Sequence, residues 1–141
     1  MLAINLTELD LDQEWIERDR SQQWRSQLPY MDHPEVESLS VVYFEVDPGE
    51  SLALHTHDED EIIVLLSGSG EGIVGDDARP VSAFDMVFVP AHASHGVRNT
   101  GDEMIRAVGF FPTRSTDAVF EHPVMPHRVR TFMTDELPTG S

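Results

Sequence analysis

Cysteine and lysine are both absent from the sequence. Without cysteine the chain has no disulfide, no thiolate metal site and no cysteine nucleophile, which excludes a disulfide-stapled secreted scaffold and makes a cytoplasmic location the expectation. No apolar run approaches the roughly 20 residues that a membrane helix needs. Met1–Leu11 mixes Glu8 and Asp10 with Leu and Ile, unlike a secretion signal. Positive charge is scarce: all nine basic residues are Arg, set against 26 acidic ones, for a formal net charge of −17. Such a surface repels phosphate, so neither sequence-independent nucleic-acid binding nor docking on anionic lipid is expected. Acid in excess with Arg standing for every Lys points either to a halophilic proteome, where salt screens self-repulsion, or to a GC-rich genome that encodes Arg in place of Lys.

What remains is ordinary for a globular protein. The chain has 141 residues, 40% hydrophobic and 25% charged, which suits one domain. Residues 1–38 are polar and weakly patterned and read as an N-terminal arm. Trp15, Ile16 and Trp24 form a thin stripe in 12–27 that could support one or two helical turns. From residue 39 to residue 112 the texture changes to short β-type runs closed by turn signals. Among them are Leu39–Val46 before Asp47-Pro48-Gly49, Glu61–Leu66 before Ser67-Gly68, and Met104–Phe111 before Pro112. Strands this short, with no helical period between them, predict an all-β sandwich or barrel. Residues 113–141, with Pro123, Pro126 and Pro138, read as an irregular C-terminal extension packing on the barrel.

The chemistry-bearing residues are His55, His57, Glu61 and His95. Residues i and i+2 of a strand point to one side, so His55 and His57 project two imidazoles into one volume. Glu61 follows the acidic turn Asp58-Glu59-Asp60, and a hairpin there returns it beside them. Three imidazoles and one carboxylate suit one divalent transition metal (Fe, Mn, Ni, Co, Cu or Zn) and can leave positions open for substrate. The three turn acids would favour cation capture.

Gly49, His55, His57, Glu61 and Gly68 stand in the spacing G-x5-H-x-H-x3-E-x6-G. That pattern resembles the first motif of the cupin superfamily. Pro90, His95 and Asn99 resemble its second motif, with two departures: Phe84 and His92 occupy positions where that motif has Gly. The resemblance is to small single-domain, quercetin-dioxygenase-like members. It implies a single antiparallel jelly-roll β-barrel and His55, His57, Glu61 and His95 as metal ligands. Phe84 gives up an easy φ > 0, so the turn before Met86 must differ or be held by Asp85. His92 is either an acid/base group near the metal or a solvent-exposed loop residue.

Inward parity with the ligands makes Ser51, Ala53, Ile63, Leu65, Val97 and Asn99 candidate wall residues, and Arg106 a candidate anchor for an anionic substrate or a partner for a surface acid. An apolar wall fits an aromatic or enolic organic compound. The function expected is therefore a mononuclear, dioxygenase-type oxidoreductase, with Glu61 and His92 as candidate catalytic groups. A non-oxidative cyclase, isomerase or lyase and a non-catalytic small-molecule binder stand as alternatives. A homodimer is expected, with Trp15 and Trp24 of the arm covering a partner's sheet and Phe44, Phe88, Phe110 and Phe111 in the core or at the contact.

Overall fold

Turn residues cut the apolar runs into strands along nearly the whole chain. A computed structural model describes residues 1–137, and Pro138 lies outside the described residues. Among these the regular structure is one 3-10 turn (Leu6–Glu8) and the strands β1 (Asp12–Ile16), β2 (Asp19–Gln27), β3 (Ser40–Val46), β4 (Ser51–Thr56), β5 (Glu61–Ser67), β6 (Ser69–Val74), β7 (Asp77–Ser82), β8 (Met86–Val89), β9 (His95–Arg98), β10 (Ile105–Phe111), β11 (Asp117–Met125) and β12 (Val129–Met133). They form one curled antiparallel sheet in the order β7-β6-β9-β4-β11-β1-β2-β3-β10-β5-β8, with β12 paired to β11. The expected all-β jelly roll is what the chain forms.

The connection from β7 to β8 carries the chain from one edge of this order to the other. Phe84 donates its N–H to Leu65 O at 2.8 Å and Ala83 to Gly68 O at 3.1 Å, which stitches the turn against β5. Phe84 keeps a left-handed φ of 74° although it is not glycine. Asp85 Oδ2 accepts the Ser82 N–H at 2.8 Å and holds the turn, so of the two ways expected for accommodating Phe84 the chain uses the anchor. His92 is likewise left-handed, with φ 68°, and is held by donating its N–H to His57 O at 2.7 Å.

Two segments differ from expectation. Residues 12–27 form the hairpin β1–β2 rather than helical turns, because Gln13 pairs with Arg25 and Glu14 with Trp24 across the ladder, and strand pairing outweighs a weak helical stripe. Trp24 is thereby 3% exposed inside its own barrel, stacked on Phe120 at 5.4 Å and 8°. It is not free to cover a partner. Trp15 is half-buried, with the Arg20 guanidinium 4.4 Å above its ring. Residues 117–133, expected as irregular, supply β11 and β12, and β11 lies between β1 and β4. Pro123 falls where the β11–β12 ladder shifts register, between Val119 and Val124, which is where a residue without an N–H is tolerated.

The core holds Ile16, Trp24, Phe44, Val46, Leu52, Leu65, Val97, Ile105, Phe120 and Val124. Fully burying one such aliphatic chain contributes about 1.5–3 kcal/mol. A second cluster lies elsewhere on the sheet, where Leu6, Leu9, Leu11 and Tyr30 pack on Val41, Tyr43 and Val108. The N-terminal segment thus covers its own chain. No helix among the described residues is long and apolar enough to cross a membrane.

Candidate metal centre

Strand pairing brings the histidines together. His55 on β4 lies directly opposite His95, the first residue of β9. His57 follows the end of β4, and Glu61 opens β5 across the acidic turn. The ring centroids are 4.2 Å apart for His55–His95 and 4.8 Å for both His55–His57 and His57–His95. One ligand nitrogen from each of the three lies within 4.8 Å of the others. All four residues are buried: His55 7%, His57 6%, His95 2% and Glu61 3% exposed.

Each ring is oriented from behind. His55 Nδ1 lies 2.7 Å from Ala53 O, His57 Nδ1 2.7 Å from Asp117 O, and His95 Nδ1 3.0 Å from Ala93 O. A carbonyl can only accept, so each Nδ1 donates and each Nε2 is left with a lone pair. Yet Glu61 Oε1, itself an acceptor, lies 3.2 Å from His57 Nε2 and 3.1 Å from His95 Nε2. The His57 Nε2 is buried with no hydrogen-bond donor or acceptor in proper geometry. Three lone pairs and one anion converge with nothing positive among them, an arrangement that a divalent cation satisfies.

Protons are the competing cation. Burial, followed by the neighbouring His95 and His57, drives His55 well below the ordinary imidazole value. Burial also works against charging His57, but the Glu61 carboxylate beside its ring reverses this and raises it. Burial acts to raise the Glu61 carboxyl, and the His57 and His95 imidazoles beside it overcome that and hold it at about 2. Glu61 therefore stays anionic, and the cluster favours a cation at its centre.

Packing fixes the set. Phe120 stacks on His55 at 4.8 Å and 19°, and Phe111 meets His57 edge-on at 4.7 Å. A Cβ on Gly109, which pairs with Ile63 on β5, would collide with Glu61 Oε2, so glycine on β10 leaves the carboxylate its place. The centre opens into a cavity of about 140 Å³. Trp24, Phe44, Leu52, Ile63, Phe120 and Phe132 are among its walls. Asp12, Glu14 and Glu136 also reach it, and no Arg among the described residues lines it.

A family model described as "Cupin domain" matches residues 42–111, the span that carries the whole histidine set. The chain belongs to the cupin superfamily. Among curated relatives it is similar to a 1-methylthio-D-xylulose 5-phosphate methylsulfurylase of Rhodospirillum rubrum, 35% identical over 48% of this chain and 42% of that protein. It is also similar to an oxalate-binding protein of Thermotoga maritima, 40% identical over 39% of this chain and 46% of that protein. The matched segment spans under half the length of either relative. Among solved structures, a predicted oxalate decarboxylase from Thermotoga maritima superposes with a TM-score of 0.67 over 79% of this chain and 99% of that one, at 21% identity, a likeness of fold.

The cupin motif residues His55, His57, Glu61 and His95 meet in one place, and Ile63 lines the cavity beside them. Other expected site residues stand elsewhere. A register shift in the β4–β9 ladder between Leu52 and His55 breaks the alternation, so Leu52 takes the wall place expected of Ala53, which is buried in the core without lining the cavity. Leu65 and Val97 line a smaller void of about 30 Å³ next to it. His92 is exposed and lies outside the cavity wall, contributing its backbone N–H to His57 O. Arg106 is also exposed on β10, with its Nε 3.7 Å from Glu45 Oε2, and does not line this cavity. Asn99 is a buried brace: its Nδ2 donates to Val46 O at 2.8 Å and Glu103 O at 2.7 Å.

The acidic turn also has a different use. Asp58 accepts from Thr116 Oγ1 and from the Asp117 N–H, hydrogen bonds that hold its carboxyl below the ordinary range. Asp60 Oδ1 accepts the Ala91 N–H at 2.8 Å. Both acids tie the ligand-bearing segments together. Sequence reasoning missed Glu14, whose polar, weakly patterned surroundings hid it. It also missed Gly109, for which a lone glycine inside an apolar strand was an available signal.

Proposed function

We propose that the protein is a mononuclear metalloenzyme that takes one divalent transition metal on His55, His57, His95 and Glu61 and acts, in the manner of a dioxygenase, on a small neutral enolic or aromatic compound. The observation that carries this reading is the convergence of three oriented Nε2 lone pairs and the Glu61 carboxylate at one wall of an apolar cavity. A bound metal would supply Lewis-acid activation of a substrate oxygen. The chain's own contribution is orientation and exclusion of water. Ala53, Asp117 and Ala93 carbonyls set the ligand tautomers, Phe111 and Phe120 fix the rings, and Glu61 stays ionised.

Size and charge narrow the substrate. A dry cavity of about 150 Å³ takes a single benzene ring, so a cavity of about 140 Å³ supports one ring or a short enolic chain and not a flavonol. Oxalate, a dianion, would meet Asp12, Glu14 and Glu136 and no Arg. The test is oxygen uptake by Fe-, Mn-, Co- and Ni-loaded protein with small diketones and catechols, with oxalate as the control. Uptake with a neutral compound supports the reading, and turnover that persists under strict anaerobiosis overturns its oxidative part.

A non-oxidative lyase or isomerase is the second reading, favoured by the methylsulfurylase relative and by the buried Glu14 carboxyl in the cavity. The same anaerobic experiment separates the two. Binding of a compound with no turnover in either atmosphere would leave a non-catalytic binding module.

The proposal extends to a cytoplasmic homodimer. Ile62, Leu66, Phe84, Met86 and Phe88 are exposed on and beside β5 and the edge strand β8. Contiguous apolar surface of this kind marks an interface. Light scattering tests it: a Phe88→Asp variant that stays dimeric, or a monomeric parent protein, overturns it.

A further inference from the structure

The cavity holds a second carboxylate that the metal centre does not use. Glu14 on β1 is 7% exposed and lines the same cavity as His55, His57, Glu61 and His95. Its Oε1 accepts the Ser26 hydroxyl at 2.6 Å, and its Oε2 lies 3.3 Å from His127 Nε2. His127 sits in the turn between β11 and β12 with its ring edge-on to Phe132 at 5.8 Å. Its Nε2 is buried and makes no hydrogen bond in proper geometry, while the side chain as a whole is 22% exposed and so reaches solvent.

A structural role explains this group poorly. An isolated buried carboxyl is costly, and replacing buried polar pairs with apolar residues of the same shape is often neutral or stabilising. Burial raises the Glu14 carboxyl, against the Ser26 hydrogen bond and the charge of His127, and Asp12 on the same strand raises it further. Among the described residues, the other charged groups outside the metal centre that reach the cavity are Asp12 and Glu136. Glu14 is thus a carboxyl that can exchange a proton with a bound molecule on one side and with an imidazole open to solvent on the other.

We propose that Glu14 is the acid–base group of the cavity and that His127 is its proton relay to solvent. This rests on the reading of the cavity as a substrate site. As base, the Glu14 carboxylate takes a proton from an acidic C–H or O–H of the substrate. The new O–H bond forms as the substrate bond breaks, and the electron pair stays on the substrate as an enolate or oxyanion. As acid, the Glu14 carboxyl returns that proton to a substrate atom, where the pair forms the new bond. Between turnovers His127 Nε2 accepts the Glu14 proton, and the exposed side of the ring passes a proton to water. Ser26 positions the carboxyl by its hydrogen bond.

Two measurements on zinc-loaded protein test this. An infrared titration is expected to show a carboxylic-acid band that persists above the ordinary carboxylate range, disappears in Glu14→Gln and moves to higher pH in Ser26→Ala. Deuterium uptake from heavy water into hydroxyacetone, a small enolisable probe, is expected to fall at least about 100-fold in Glu14→Gln. Zinc content and hydroxyacetone affinity should stay unchanged, with an intermediate loss of exchange in His127→Gln. Should Glu14→Gln misfold, Glu14→Asp and Ser26→Ala carry the same comparison. Exchange in Glu14→Gln at the parent rate, or a Glu14 that titrates in the ordinary range, overturns the proposal and leaves the metal reading intact. Failure of the parent protein to bind zinc or hydroxyacetone overturns the substrate-site reading and this proposal with it.

Discussion

Replacing Gly109 by Ala tests how the barrel makes room for its carboxylate ligand. The added Cβ would collide with Glu61 Oε2 and press on Val42 Cγ1 at 3.0 Å. Overpacking of this kind costs about 1–3 kcal/mol. With an unfolding entropy of about 2.1 cal/mol/K per residue, the 141 residues correspond to ~0.3 kcal/mol/K, so Tm should fall by ~3–10 °C. The strain falls on Glu61, whose Oε1 must then leave its place 3.1 Å from His95 and 3.2 Å from His57. Loss of such ligand placement weakens metal binding by about 10–100-fold. Shortening the ligand with Glu61→Asp withdraws the carboxylate by about one C–C bond, ~1.5 Å, and relieves the clash. The double variant should therefore be more stable than the two single effects predict, with a coupling of about 0.5–3 kcal/mol. Thermal melts and a chelator-competition titration of zinc, run on all four proteins, measure both terms. Additive effects, or a Gly109→Ala protein with parental Tm and zinc affinity, would refute the reasoning.

Phe84 is 86% exposed at φ 74°, so Phe84→Gly loses little packing. Relief of about 1–2 kcal/mol of left-handed strain, less about 0.5–1 kcal/mol for glycine's backbone entropy, should raise monomer stability by up to ~1.5 kcal/mol in denaturant titrations at low protein concentration. A raised Glu14 carboxyl stabilises the folded state fully below the unfolded value of 4.5, and that stabilisation is lost as pH rises through the higher folded value. Glu14→Gln should accordingly gain Tm relative to the parent as pH is raised from 4.5 toward 8, and a difference independent of pH would contradict the assignment. If the acidic composition reflects a salt-rich habitat, Tm should climb from low to molar KCl as the net charge of −17 is screened, and a flat response would favour genome composition instead.

Strands bounded by turn residues and the paired motifs were legible because their signals are local. Gly49 and Gly68 stand at left-handed φ of 83° and 79°, and the spacing of His55, His57, Glu61 and His95 reflects one strand end, one tight turn and one cross-strand pair. The hairpin of 12–27 was not legible, since only the partnership of Trp24 with Phe120, from the far end of the chain, makes those polar strands worth forming. The wall of the cavity was misread at Ala53 for a related reason. Period-two alternation fails where the β4–β9 ladder shifts register, and the one local mark of it is Gly96 on β9, where an added Cβ would lie 2.6 Å from Leu52 O. Arg106 was plausible as a charge within an apolar strand, and His92 as a residue standing where the cupin motif has Gly. Each lies outside the cavity, Arg106 beside Glu45 and His92 in an exposed turn, because strand parity and the turn at Pro90 point them outward.

The most direct measurement is metal content. Inductively coupled plasma mass spectrometry on protein purified without chelator or added metal should find one transition metal per chain. The His55→Ala, His57→Ala and His95→Ala variants should each lose it while keeping the β-type circular dichroism of the parent. A folded parent protein that carries no stoichiometric metal, and takes up none from micromolar Zn, Mn, Fe, Co, Ni or Cu, would contradict the assignment of these residues as a metal centre.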